Sequence, residues 1–490
     1  MLKKLIVVLA GLVVVVWGVL LFMNRQPQLP KPADQMPIEE PDDREAEIPD
    51  DENKSTLPIP PILEDTDPSP DRAEFHIIAQ NGTMEFVPGV QTDTMGYNGD
   101  YLGPVIRTRR GEEVAVNVEN RIDGEMTTIH WHGLEVSGED DGGPHSGIQP
   151  GETWTPEFTI DQPAATLWYH PHPEGNTGRQ VYKGLAGLFI VEDEISDSLN
   201  IPKEYGVNDI PLVIQDKRFR EDGSFEYILA GPDIMFGLQG NAILVNGETD
   251  PYLNVEKGLM RFRILNGSNA SIFDLRLDNG QSFYQIATDG GFLEEPVELR
   301  SLILGPSERA EILVDFSDYE DGERVTLAHQ DFSFMDFVVD GSSTNDYSLP
   351  TSLAPIEWLR PEDATLTREF VFLGMGPNVN INGKQFDMDR IDEFVSLGDT
   401  EIWVVSNQSG MGMMGGTVHP FHAHGTQFQI LDRDGNPPPA NEAGWKDSFV
   451  VYPDETVRAI ARFKQPGVFM YHCHILEHED AGMMGQFLVE

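Results

Sequence analysis

The only cysteine of this 490-residue chain sits between two histidines, in His472-Cys473-His474, with His478 and Met483 just downstream and His419-Pro420-Phe421-His422-Ala423-His424 upstream. A soft thiolate, two imidazoles and a weakly held thioether form a ligand set that suits Cu(I) and Cu(II) about equally, so one-electron copper chemistry is the first hypothesis. Along an extended strand alternate side chains point to opposite faces. His472 and His474 would then face away from the metal that Cys473 holds. One short peptide would join two metal sites through a few covalent bonds.

Candidates for the second site lie elsewhere in the chain, in His130-Trp131-His132, His170-Pro171-His172 and His422-Ala423-His424. With His472 and His474 these make four H-x-H pairs, where random placement of the chain's 13 histidines gives about one third of one. Adding His419 and His478, the pattern takes ten of the thirteen histidines. Neutral imidazole is a usual copper ligand. One H-x-H alone is more often a packed or solvated pair. Zinc is the nearest competitor, but its structural sites usually show two or more cysteines or a compact four-ligand pattern. His76, His145 and His329 fall outside the pattern and read as ordinary structural or surface residues.

On these motifs residues 72–490 resemble the multicopper oxidases, a family that includes bacterial laccases and cuprous oxidases. The resemblance implies four copper ions, one of type 1, one of type 2 and two of type 3. It assigns His419, Cys473 and His478 as equatorial ligands of the type 1 copper, with Met483 axial. His130 and His422 would hold the type 2 copper. His132, His170 and His474 would hold one type 3 copper, and His172, His424 and His472 the other. It further implies that single electrons from a reducing substrate reach O2, which is reduced to water. Asp141 and Glu479 are similar to the acidic pair that supplies protons near the trinuclear cluster in that family. From the residues alone, either is as readily a surface carboxylate.

The substrate is less defined. Met411, Met413 and Met414 precede His419 in a glycine-rich segment, and Asp447 lies in Gly444-Trp445-Lys446-Asp447. Thioethers suit Cu(I), so these four residues could dock a cuprous substrate. Met-Gly loops are equally readable as flexible surface fillers. Cuprous oxidases of the family typically carry a methionine-rich helix near the connection to the third domain, and residues 339–374 here contain no methionine. An uncovered type 1 site is therefore expected, open to phenols and aromatic amines as in laccases, with some oxidation of Cu(I). A dedicated cuprous or other metal-ion oxidase in copper homeostasis is the alternative. Copper-free relatives that act as envelope scaffolds lack the cysteine and most of the histidines, and copper nitrite reductases are shorter, two-domain chains.

The elements that must position these residues read as mostly β. Glycine 47 and proline 35 punctuate short alternating runs. Val114, Val116 and Val118 alternate with Ala115, Asn117 and Glu119, as Ile312, Val314 and Phe316 do with Leu313 and Asp315. The length suggests about three domains. Histidines concentrate at the two ends and none occurs from 173 to 328. The expected organisation is thus a first domain at 72–195, a metal-free spacer at 200–355 and a last domain at 360–490, with the cluster across the contact of first and last. Periodicity gives an all-β sandwich or barrel; the resemblance implies three cupredoxin-like Greek-key β-sandwiches.

Lys3 and Lys4 precede nineteen uncharged, mostly apolar residues, 5–23, which as a helix would span about 28 Å. A transmembrane signal anchor is expected, with a cleaved signal peptide as the alternative, leaving the catalytic part at the cell surface. Residues 24–71, rich in Pro, Asp and Glu, read as a disordered acidic linker. The formal charge of −49, from 33 basic and 82 acidic residues, excludes nucleic acid as a partner. That charge either keeps the protein soluble or enriches cationic substrates such as Cu(I), Fe(II) or Mn(II) near the surface. A lone cysteine leaves no internal disulfide, and a monomer is expected.

Overall fold

The computed structural model describes residues 54–490 apart from 228, 331 and 410–415. The expected anchor at 5–23, the first part of the acidic linker, and Met411, Met413 and Met414 lie outside the described residues. Among the described residues no helix is long and apolar enough to cross a membrane.

The valine alternation forms the strand Glu113–Arg121, in which Val114, Val116 and Val118 are wholly buried against Phe75 and Ile77 of the parallel strand Arg72–Val87. In Arg309–Asp315 alternation persists but both faces are covered. Ile312 and Val314 enter one apolar core and Leu313 a second. Burial on both faces explains why the alternate position, Leu313, is apolar as well.

Among the described residues six sheets form three pairs, and the same pairing recurs in each. Arg72–Val87 runs parallel to Glu113–Arg121, and Ile106–Arg109 to Gly187–Glu192. Asp209–Lys217 runs parallel to Leu259–Asn266, and Tyr252–Lys257 to Phe332–Thr344. Leu366–Leu373 runs parallel to Thr400–Asn407, and Glu393–Val395 to Met484–Val489. Each pair encloses its own large apolar core. The repetition makes three two-layer sandwiches of one design, consistent with layered β architecture.

The expectation of a disordered linker over 24–71 fails for 54–71. There Leu57 is 3 % exposed, its N–H donates to Tyr252, and the Leu63 N–H donates to Val105. Asn246 donates to the Pro58 carbonyl and Tyr205 to that of Pro60. Prolines keep this stretch extended with its carbonyls free to accept, while Leu57, Ile59 and Leu63 pack onto the cores of the middle and first sandwiches. Composition marked the polar majority and hid these apolar anchors.

Candidate metal centre

The histidine pairs sit on short strands or just past their ends. His130–His132 pairs antiparallel with Ala165–His170, setting His130 opposite His170. In the last sandwich His419–Ala423 pairs antiparallel with Gly467–Cys473, setting His422 opposite His472 and Phe421 opposite Cys473. Across the contact, His130 stacks on His424 and His132 on His422, each with ring centroids 3.7 Å apart. The eight paired histidines are all essentially buried.

Their nitrogens converge. His172 Nε2 and His424 Nε2 each lie 3.2 Å from His472 Nε2, and His132 Nδ1 lies 3.4 Å from His170 Nε2. Groups able to share one ion in this cluster are His130, His132 and His170; His130, His422 and His424; His172, His424 and His472; and His132 and His422 with Asp447. The ring of His474 lies 5.2 Å from His132 and 5.5 Å from His170, and neither of its nitrogens has a partner. The Nε2 atoms of His130 and His422 are likewise buried without partners, while their Nδ1–H groups donate to the carbonyls of Asp141 and Asp447.

Burial, reinforced by neighbouring imidazoles, holds His132, His170, His172, His422, His424 and His474 well below the ordinary histidine range, and burial pushes His472 down to about 3. These six and His472 are therefore neutral at pH 7. His424 Nδ1–H donates to Asp141 and His472 Nδ1–H to the Cys473 carbonyl, so their Nε2 atoms turn lone pairs on each other at 3.2 Å, a repulsion that a shared cation relieves; this donor set fits metal ions.

Cys473 points the other way, into the apolar core of the last sandwich with Phe372, Phe421 and Met483. His419 Nδ1 is 3.3 Å and His478 Nδ1 3.9 Å from its sulfur, and the three form a group able to share an ion. The Cys473 N–H donates to the carbonyl of Met483, which brings that residue alongside. Burial pushes the thiol upward. A bound cation is what makes such a sulfur a thiolate, since metal binding releases the proton.

The expectation of an open site at this sulfur is not met. His478 is wholly buried, and its Nε2 lies 3.2 Å from the carbonyl of Met235 in the short helix Gly231–Phe236. The cover comes from the middle sandwich, where no methionine-rich signature announces it.

Asp141 and Glu479 both reach the histidine cluster. The Asp141 carboxylate accepts from His424 Nδ1 at 2.7 Å, and Glu479 lies 3.2 Å from His472 Nδ1 and 3.5 Å from His172 Nδ1. Burial raises Glu479 well above the usual carboxylate range. A cavity of about 200 Å³ opens beside Glu479, lined also by His172, Glu174, Gln385 and Asp480. Asp447 is a correction. It is wholly buried, and its carboxylate faces Arg309, Gln427, Ser448 and His132 Nε2. A side chain so enclosed cannot dock a substrate arriving from solvent.

Known proteins share this constellation's framework. Multicopper oxidase family models match residues 78–196 and 357–490. The multicopper oxidase mco of Staphylococcus haemolyticus is 41 % identical over 438 residues, 89 % of this chain and 93 % of that protein. The chain belongs to the multicopper oxidase family. The crystal structure of a laccase from Pediococcus acidilactici superposes on this multicopper oxidase with a TM-score of 0.85 at 43 % identity, covering 89 % of this chain and 94 % of that one. The cell division protein FtsP of Escherichia coli is 36 % identical over 451 residues, 88 % of this chain and 92 % of that protein.

Several residues of this multicopper oxidase escaped sequence reasoning. Trp168 stacks on His170 at 4.1 Å, the Met235 carbonyl meets His478, and Ser448 lies between His132 and His422. Arg309, from the stretch without histidine, reaches Asp447. Neither spacing nor residue type flags any of them. Of the histidines left outside the pattern, His145 bonds Gln486, His329 accepts from the Asp274 N–H, and His76 is exposed.

Proposed function

We propose that this multicopper oxidase takes single electrons from small reducing substrates, phenols, aromatic amines and Cu(I), and reduces O2 to water with four coppers. The carrying observation is a buried thiol grouped with His419 and His478, joined by one peptide to imidazoles that belong to a separate histidine cluster. His419, Cys473, His478 and Met483 would hold the type 1 copper, and His130 and His422 the type 2 copper. His132, His170 and His474, and His172, His424 and His472, would hold the type 3 pair. Bound copper would supply the one-electron redox chemistry; the rest falls to the chain.

Asp141 and Glu479 can hold protons beside His424, His172 and His472, and the cavity at Glu479 offers water and O2 a way in. The cover over His478 favours small reductants over bulky ones. Met411, Met413 and Met414 remain candidates for contact with Cu(I). The likeness to the Pediococcus laccase supports the phenol side of the reading. A dedicated metal-ion oxidase is the alternative. A scaffold role, raised by the likeness to FtsP, sits poorly with ten buried histidines and a buried cysteine, among which the Nε2 atoms of His130 and His422 and both nitrogens of His474 lack any partner.

In the same proposal the three sandwiches are cupredoxin-like domains at about 72–195, 200–355 and 360–490, the middle one metal-free, in a monomer held outside the cytoplasmic membrane by residues 5–23. The test is to load the protein with copper, count metal and follow O2 uptake. We expect about four ions per chain and an intense thiolate colour that Cys473→Ser abolishes. Comparison of kcat/KM for a phenol and for Cu(I), in wild type and in a Met411/Met413/Met414 to Ala variant, separates the two substrate readings. A colourless copper-loaded protein that consumes no O2 would overturn the proposal.

A further inference from the structure

The middle sandwich contributes more than spacing. Arg309 begins its strand Arg309–Asp315, is wholly buried, and uses all five of its N–H donors. Nε donates to the Thr166 carbonyl in the first sandwich, and one donor each from Nη1 and Nη2 reaches the carbonyls of Ser307 and Asp289. The remaining two form a fork on Asp447 of the last sandwich, Nη1 to Oδ1 at 2.7 Å and Nη2 to Oδ2 at 2.5 Å. One side chain thus ties all three sandwiches together.

What the fork holds is a histidine. Asp447 Oδ1 lies 3.0 Å from His132 Nε2, and Ser448 Oγ lies 3.1 Å from the same nitrogen while donating to Asp447 at 3.0 Å. A neutral imidazole has one N–H and one lone pair, and the hydrogen bond at one nitrogen decides which the other presents. With Nε2–H given to the carboxylate, the lone pair of His132 is on Nδ1, the nitrogen 3.4 Å from His170 Nε2. His130 and His422 are arranged oppositely, with Nδ1 bonded and Nε2 free. His132 therefore needs a dedicated acceptor, and its acceptor needs a counter-charge, since a carboxylate alone in this interior would be strongly disfavoured.

We propose that Arg309 is a positioning residue for the trinuclear site, holding His132 through the Asp447 carboxylate with its lone pair on Nδ1. The inference rests on the reading that this histidine cluster binds copper. Lysine cannot replace the fork, because an ammonium is a point charge with three donors and a different geometry. Outer partners of metal-bound histidines are worth about 10- to 100-fold in metal affinity.

The experiment compares copper-loaded wild type, Arg309→Lys, Arg309→Met and Arg263→Met. Arg263 is a buried arginine of the same sandwich whose hydrogen bonds among the described residues go to Asp209, Glu311 and Thr166. Copper per chain is measured against a chelator, alongside the paramagnetic resonance signal of the type 2 copper and the colour of the Cys473 thiolate. We expect Arg309→Lys and Arg309→Met to keep the colour and lose trinuclear copper at roughly tenfold or more lower chelator concentration, with an altered type 2 signal, and Arg263→Met to match wild type. Should Arg309→Met not fold, Arg309→Lys alone decides. Unchanged retention in folded Arg309→Lys, or equal loss in Arg263→Met, overturns the inference alone. Wild type that binds no copper at these histidines overturns the functional reading and this inference together.

Discussion

Lys217 shows what a single buried charge does to this molecule. It ends the strand Asp209–Lys217, is wholly buried, and its ammonium has no hydrogen-bond partner, lying 4.4 Å from the ring centroid of Tyr182. Burial pushes it down to about 7, against the opposing pull of Asp216 and Glu477. An unfolded lysine holds its proton up to about pH 10.4. Between the two values the unfolded chain binds more protons, so stability rises with pH across that window, by at most about 1.4 kcal/mol per unit. The urea midpoint of wild type is expected to climb relative to that of Lys217→Met from pH 7 to 10. A constant difference between the two proteins would contradict this.

At the scale of elements, the turn after His130–His132 is fixed by the ion pair behind it. Gly133 has φ +93°, and a Cβ there would lie 2.6 Å from Asp447 Oδ2 and 2.8 Å from Arg309 Nη2. Left-handed backbone strain and overpacking each cost about 1–3 kcal/mol. Gly133→Ala is expected to lower stability by roughly 2–4 kcal/mol and to displace His132, read as a shifted denaturant midpoint and, on the proposed copper reading, a lower copper content. A loss of stability with full copper retention would separate the turn from the site. The helix Gly231–Phe236 acts at the same scale: a peptide carbonyl over His478 turns an expected open surface into a covered one.

Over the whole molecule the chain carries a formal charge of −49, and the site is buried among three sandwiches. Such a field draws cations and leaves neutral substrates unaffected, and salt screens it as the Debye length falls from about 30 Å at 0.01 M to about 3 Å at 1 M. If it serves catalysis, kcat/KM for Fe(II) or Cu(I) will fall severalfold over that range while the value for a neutral phenol stays level. Parallel behaviour of both substrates would leave solubility as the role of the charge. The buried ionic groups Arg309–Asp447, Lys446–Asp289–Glu308 and Arg263–Asp209–Glu311 also belong to this scale. Each needs partners from segments far apart in sequence.

That the paired histidines gather, and that Cys473 parts from its neighbours, was legible in the chain because metal chemistry restricts residue type: a lone cysteine and four H-x-H pairs have few other uses, and strand alternation turns the thiol away from the flanking imidazoles. Sandwich architecture was legible for a similar reason, since a period of two survives in runs such as Val114, Val116 and Val118. Neither determines which nitrogen of a histidine is left without a partner, what covers His478, or that residues 54–71 are packed. Asp447 reads as a docking carboxylate until Arg309, 138 residues earlier, is seen beside it. Those features depend on which surfaces meet when sandwiches pack, and hydrogen-bond partners chosen across such a contact leave no period or spacing in the sequence.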